Sequence, residues 1–246
     1  MLNYLRKLSG KERSERHDQH LAQFLTFIAG AANAGGYMAF RQYTSHMTGI
    51  ASAAADALAV GNFQIALAGL IAIVSFICGA GASAILINWG RRRGLHSQYA
   101  FPLLLEAVLL GCFGLLGENF LSSHSLIIPM TVMLLCFVMG LQNAMITKLS
   151  GARIRTTHIT GMVTDIGIEL GKLIYINTPV IHLLPVRADR AKMRLLAVLI
   201  FLFFAGGVIG AVGFNHYGFD SALFLAVLLL ALAIMPVIED VITRQP

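Results

Sequence analysis

Two stretches of this chain carry the same polar residues at the same spacing. Arg41-Gln-Tyr-Thr44-Ser45-His46-Met47-Thr48-Gly49 is matched by Arg153-Ile-Arg-Thr156-Thr157-His158-Ile159-Thr160-Gly161, with Thr in place of Ser and Ile in place of Met. Each follows a Gly-x-x-Asn-Ala run, Gly30 to Ala34 in the first case and Gly140 to Ala144 in the second. A His-x-Thr-Gly match alone could arise by chance; the longer run with its upstream motif reads as a duplication. Thr44, Ser45, Thr156 and Thr157 suit the start of a helix, where a side-chain oxygen accepts from the free N–H groups of the first turn. Those N–H groups and the positive end of the helix dipole favour an anionic or strongly polar guest. The candidate binding residues are therefore Asn33, His46, Thr48, Gly49, Asn143, His158, Thr160 and Gly161. Arg41 and Arg153 are placed to draw an anion into opposite mouths.

A packing role competes with each of these. Repeated Thr and His residues also cap helices, and Gly49 and Gly161 also allow helices to approach; for the Gly and Thr positions the packing role is favoured. For His46 and His158 the two roles stand even, because an ionisable group inside a bilayer is costly. Asp165 and Glu169 lie one helical turn apart, with His158 seven residues before Asp165, so all three share a face suited to a proton or cation relay. Lys172 lies close by, which leaves open a plain solvated end for Glu169. Asp56 has no acid at its repeat partner Ile168. Glu106 sits about 9 Å into its helix by the helical rise and has no charged partner in the sequence, so it is either functional or protonated. Asn33, Gln142 and Asn143 are expected to hydrogen-bond between helices.

The elements that hold these residues follow from composition. Of 246 residues 57% are hydrophobic and 12% charged, and the mean hydropathy is +0.75, outside the range of a soluble domain. The apolar residues come in blocks of the length that spans a hydrocarbon core of about 30 Å. Six blocks qualify: Leu21 to Phe40, Phe63 to Trp89, Ala100 to Gly117, Leu126 to Thr147, Leu195 to Phe214 and Phe219 to Val237. Met47 to Gly61 and Ile159 to Tyr175 are shorter and contain acids. With six spans and a cytoplasmic N-terminus, Arg41 is the one basic residue of 18 left outside. If the short segments also crossed, Arg41, Arg91 to Arg93, Lys148, Arg153 and Arg155 would all face outward. The positive-inside rule therefore favours six spans and two short helices that do not cross.

The expected fold is an all-α polytopic membrane protein with no cleavable signal, since Met1 to His20 is charged and polar. A cytoplasmic tail (1–20) leads into repeat 1 (21–117) and an external loop (118–125). Repeat 2 (126–238) and a cytoplasmic tail (239–246) follow. Three crossings per half is an odd number, so the second half is inverted relative to the first, a plan common in transporters with a site where the halves meet. Gly79, Gly81 and Ser83 correspond in this plan to Gly206, Gly207 and Gly210. Cys78, Cys112 and Cys136 lie in apolar blocks and read as small hydrophobes, with no disulfide, metal or cofactor implied. The net charge of +6 is distributed as membrane topology requires, so the expected partner is the lipid bilayer and not nucleic acid.

The Thr44 to Gly49 phrase, the Gly-x-x-Asn-Ala run before it and the six-span layout resemble the YoaK family of bacterial membrane proteins, from about Gln19 to Ile238. That resemblance implies the topology and a place in the bacterial inner membrane, and it supplies no substrate. The leading function is a transporter or channel for a small polar or anionic solute. The alternatives are a non-transporting assembly factor or receptor and, less favoured, a membrane enzyme. Against the enzyme, no His-Glu-x-x-His, paired aspartates within a span or phosphate-binding Gly loop is present. A homo-oligomer is compatible with all of these.

Overall fold

The computed structural model describes residues 15–121, 127–151, 154, 156–177 and 184–243. These form eight α-helices and no strand. They are α1 (Glu15–Phe40), α2 (Met47–Ala59), α3 (Phe63–Arg92), α4 (Ala100–Leu121), α5 (Ile127–Leu149), α6 (Ile159–Ile174), α7 (Arg190–Tyr217) and α8 (Ser221–Thr243). Three segments are long and apolar enough to cross a membrane: Phe63–Arg92, Met130–Leu149 and Arg190–Ile238. The last, of 49 residues, is not one rod. Positions eight apart on a continuous helix are about 12 Å apart, yet a Cβ at Gly213 would meet Ser221 Oγ at 3.2 Å. The chain reverses at Gly218, whose φ of 57° needs no Cβ penalty at glycine, so this segment holds both α7 and α8.

Helix ends differ from the hydropathy blocks where charge and helix part company. α1 begins at Glu15, not Leu21, and α4 runs on to Leu121 beyond Gly117 and Glu118. A charged residue ends an apolar block without ending the backbone ladder. α2 and α6 occupy the two short segments. At about 1.5 Å per residue α2, with 13 residues, is too short for the hydrocarbon core. It lies back along the first half of α3: a Cβ at Gly69 would meet the Cβ of Ala54 at 2.9 Å, while Ile50 and Met47 pack with Ala72, Ile73 and Phe76. The turn at Gly61 (φ 77°) and the Asn62 cap, whose side chain accepts from Ile65 N, join the two.

Helix pairing runs α1 with α7, α3 with α5, and α4 with α8. Lipid tails are as apolar as leucine, so close van der Waals approach and not water exclusion must hold such pairs. Glycine supplies that approach at four places. A Cβ at Gly30 would overlap the carbonyl oxygen of Phe203, and one at Gly206 would overlap that of Phe27. A Cβ at Gly140 would overlap the carbonyl oxygen of Phe76, and one at Gly79 that of Phe137. Gly210 presses in the same way on Ala31, whereas Gly81 faces open space. Between the pairs lies a core that includes Leu25, Ile28, Leu103, Phe113, Met139 and Leu229. Phe113 meets Phe219 edge-on at 5.2 Å. The outward faces of α3 and α7 expose large apolar side chains, among them Leu67, Ile77 and Phe201, as a lipid-facing surface does.

One end of the bundle is closed by a bond that spans most of the chain. Buried Asp240 of α8 accepts from the N–H groups of His96 (3.0 Å) and Ser97 (2.8 Å) and from the Ser97 hydroxyl. Burial pushes its carboxyl up, but the Ser97 hydroxyl and the two N–H groups outweigh that and hold it below the usual aspartate range. A lowered folded-state value means stability that is present above the ordinary value of about 3.9 and lost as pH falls through the folded one. Asp240→Asn should therefore lower the melting temperature at neutral pH and flatten the acid limb of the stability curve. Melts of purified wild type and variant across pH check this; coincident curves at neutral pH would contradict it.

Candidate functional site

The duplicated motif forms two loops, each tied to the asparagine of its own preceding helix. In the first, Asn33 Oδ1 accepts from Ser45 N (3.1 Å) and Ser45 Oγ (3.0 Å). In the second, Asn143 Nδ2 donates to Thr157 Oγ1 and its Oδ1 accepts from Thr156 Oγ1 at 3.4 Å. Ser45 and Thr157 are thereby occupied, which corrects the expectation that Thr44, Ser45, Thr156 and Thr157 cap the short helices. The N-caps are His46 and His158, and neither makes a side-chain cap bond. The expectation of bonds between helices also needs correction for the asparagines, since both hold their own loops. For Gln142 it stands: its Nε2 donates to Glu106 Oε1 at 3.0 Å, linking α5 to α4 with both side chains buried.

The remaining candidates separate. His46 is exposed, and its ring lies over the first turn of α2 where a Cβ on Gly49 would collide with it. Gly49 thus makes room for the imidazole. His158, Thr160 and Gly161 are also exposed, and a Cβ on Gly161 would meet nothing within 4 Å. Thr48 is exposed as well. α2 packs on α3 and α6 on α7, with no extensive packing between α2 and α6, so each histidine belongs to its own helix start. Arg41 ends α1 at a φ of 56°, where its N–H reaches Tyr37 O at 2.8 Å. Its guanidinium lies over the Tyr37 ring at 5.7 Å. Gly151 has the same left-handed backbone (φ 60°) just past α5. Arg153 lies outside the described residues.

Two cavities lie along successive stretches of α1 and α7. The larger, about 1120 Å³, is lined by charged and polar groups including Arg16, His20, Asp165, Asp189, Lys192 and Arg194. Asp165 is the acid expected to share a face with Glu169. It pairs with Lys192 of α7 at 3.0 Å, both half exposed, while Glu169 is buried and accepts from Lys172 (2.9 Å) and Asp189 N (2.7 Å). Those two bonds, the lysine's first, hold the Glu169 carboxyl below the usual glutamate range against the burial that raises it. The solvated-end expectation for Glu169 is corrected: it anchors the segment that leads into α7.

The smaller cavity, about 410 Å³ and mostly apolar, lies further along the same helices. Asn33, Tyr37 and Tyr43 line it from the first half, and Ile159, Phe203 and Gly207 from the second. Tyr37 and Tyr43 stack at 4.6 Å on the side of Arg41. Sequence reasoning passed over both tyrosines, although Tyr43 lies inside the duplicated motif; the signal available was an aromatic flanking a polar turn. The two halves therefore meet at Asn33 and at the first residue of α6, next to His158.

The comparisons agree with the membrane reading. The UPF0700 transmembrane protein YoaK of Bacillus subtilis (strain 168) is 29% identical over 151 residues, which is 59% of this chain and 64% of the relative. No solved structure matches. With its long apolar helices and a transmembrane relative, this is a membrane protein. The profile of the DUF1275 family, described as a protein of unknown function, matches residues 21–235, and the chain belongs to that family.

Proposed function

We propose that the protein is a transporter or channel for a small polar or anionic solute, with its path along α1 and α7. The observation that carries this reading is the alignment of the two cavities along the same pair of helices. α1 contributes residues from Glu15 to Gln23 to the charged cavity and from Gly30 to Met38 to the smaller one; α7 contributes Ala191 to Val198 and then Ile200 to Ala211. The start of α6 enters the second cavity through Ile159, where the N–H groups of a first helical turn suit an anion. Arg16, Lys192 and Arg194 at the charged end would gather one.

The framework proposed around this path has six spans, both termini in the cytoplasm of a bacterial inner membrane, and two halves related as inverted copies. Support for the inversion comes from contacts that exchange between halves. Gly30 meets Phe203 as Gly140 meets Phe76, Gly206 meets Phe27 as Gly79 meets Phe137, and Asn33 holds Ser45 as Asn143 holds Thr157. In a background with Cys78, Cys112 and Cys136 replaced, a cysteine at Asn215 should react with an impermeant maleimide from outside, and one at Gly94 should not. Outside labelling of Gly94 would sink the six-span arrangement.

Transport itself is tested by osmotic re-swelling of proteoliposomes challenged with formate, nitrate, phosphate and glycerol. At least one solute should enter faster than into protein-free vesicles. Gly207→Leu should abolish that gain. Gly207 lines the cavity and a Cβ there meets only Gly30 O at 3.8 Å, so the added side chain fills the path without opening the crossing. Equal rates with and without protein for all four solutes would end the reading.

A further inference from the structure

We infer that Glu106 carries a proton within the membrane and closes a cyclic acid–amide pair with Gln142, which makes the α4–α5 contact a proton-binding site. Both side chains are fully buried. Gln142 Nε2 donates to Glu106 Oε1 at 3.0 Å, and the second oxygen of each group, Glu106 Oε2 and Gln142 Oε1, has no partner. An ionised carboxylate and an amide oxygen are both acceptors only, so neither can satisfy the other. One proton on Oε2 turns that atom into a donor, and the acceptor assigned to it is Gln142 Oε1, the orphaned oxygen of the group already bonded to Oε1. A single O–H bond formed with a proton from water thus pairs both orphaned atoms and leaves two parallel hydrogen bonds between the groups. The alternative, a charge buried with one hydrogen bond, is among the costliest arrangements in a low-dielectric interior.

Charge nearby does not offer another solution. Among the described residues no ion pair includes Glu106. Among the described side chains, the titratable groups on the elements packed against α4 are engaged or placed elsewhere. On α5, Lys148 donates to Asn88, and Cys136 sits in the separate cluster with Ile50, Ala72 and Val132. On α8, Asp240 is bound by His96 and Ser97. On α3, Arg91 and Arg92 form the last turn and Cys78 is exposed. Asp220 ends the turn before α8, and Cys112 of α4 itself is exposed. Glu106 lies six residues into α4 and Gln142 seven residues before the end of α5, so they sit about 9 and 10.5 Å from those helix ends.

The pair also breaks the duplication. In the first Gly-x-x-Asn-Ala run the place of Gln142 is held by Ala32, and α8 has no acid from Ser221 to Ile238. The counterpart contact, α8 with α1, therefore packs without such a pair, and the α4–α5 contact carries a proton site as an addition. The inference stands on this geometry and does not depend on the transport reading.

Infrared spectroscopy of the protein in lipid nanodiscs at neutral pH tests it. Wild type grown with carboxyl-¹³C glutamate should show a label-sensitive carboxylic-acid C=O band, and Glu106→Gln should lose it. The variant should melt no lower than wild type, because an amide closes the same ring. Gln142→Leu should keep the band at higher frequency, since the acid carbonyl loses its N–H donor. Absence of a label-sensitive acid band in wild type, or its persistence in Glu106→Gln, overturns the proposal. Should Glu106→Gln fail to fold, Gln142→Leu decides, and an unshifted band there overturns it equally.

Discussion

Gly140→Ala is expected to destabilise the protein by about 3 kcal/mol or more, the upper end of what overpacking a well-filled interior costs. The added methyl would overlap the carbonyl oxygen of Phe76. That oxygen belongs to the backbone of α3 and has no rotamer to escape into, so the two helices must part along their whole crossing. Gly79→Ala, Gly30→Ala and Gly206→Ala should each do the same at their own crossings, because each added Cβ meets a backbone carbonyl. Gly167→Ala is the control. Nothing lies within 4 Å of a Cβ there, and alanine in a helix is favoured over glycine by up to about 1 kcal/mol. Thermal melts and the yield of monodisperse protein in detergent report both effects. If Gly140→Ala melts with Gly167→Ala, the crossings are not the close contacts described.

Asn33→Ala and Asn143→Ala follow, with an expected loss of roughly 2 kcal/mol each. Removing a hydrogen-bonding partner inside a protein leaves the other group to bear its desolvation, at about 1–3 kcal/mol. Asn33→Ala strands the N–H and hydroxyl of Ser45, and Asn143→Ala strands the hydroxyls of Thr156 and Thr157. Each loop precedes a short helix, so its loosening also displaces the start of α2 or α6. The pairing is checked by a double-mutant cycle. Asn33→Ala combined with Ser45→Ala should cost clearly less than the sum of the single changes, since residues in contact are not additive. Strict additivity would mean that Asn33 does not hold the loop. For the transport reading, Asn33→Ala should also alter the solute dependence of vesicle re-swelling, because Asn33 lines the smaller cavity.

Residue order alone determined the helical class, the approximate place of the eight described helices and the existence of two matching motifs. Each of these depends on near neighbours. An apolar block of sufficient length must be helical in a bilayer, because no water is there to satisfy its backbone. Tertiary structure decided what the polar residues are for. Asn33 and Asn143 read equally well as links between helices, and only the path of the chain after each helix shows that they grip the following loop. Glu106 and Gln142 are 36 residues apart, and Asp240 is more than 140 from its partners. A buried polar atom must find a partner, but its own sequence names several within reach and selects none. The same holds for the cavities. Gly207 and Tyr43 each have an ordinary local explanation, a small residue on a helix and an aromatic beside a turn. They line one chamber because α1 and α7 cross closely at Gly30 and Gly206, an approach set by shape across the whole pair of helices and not by the residues on either side of each glycine.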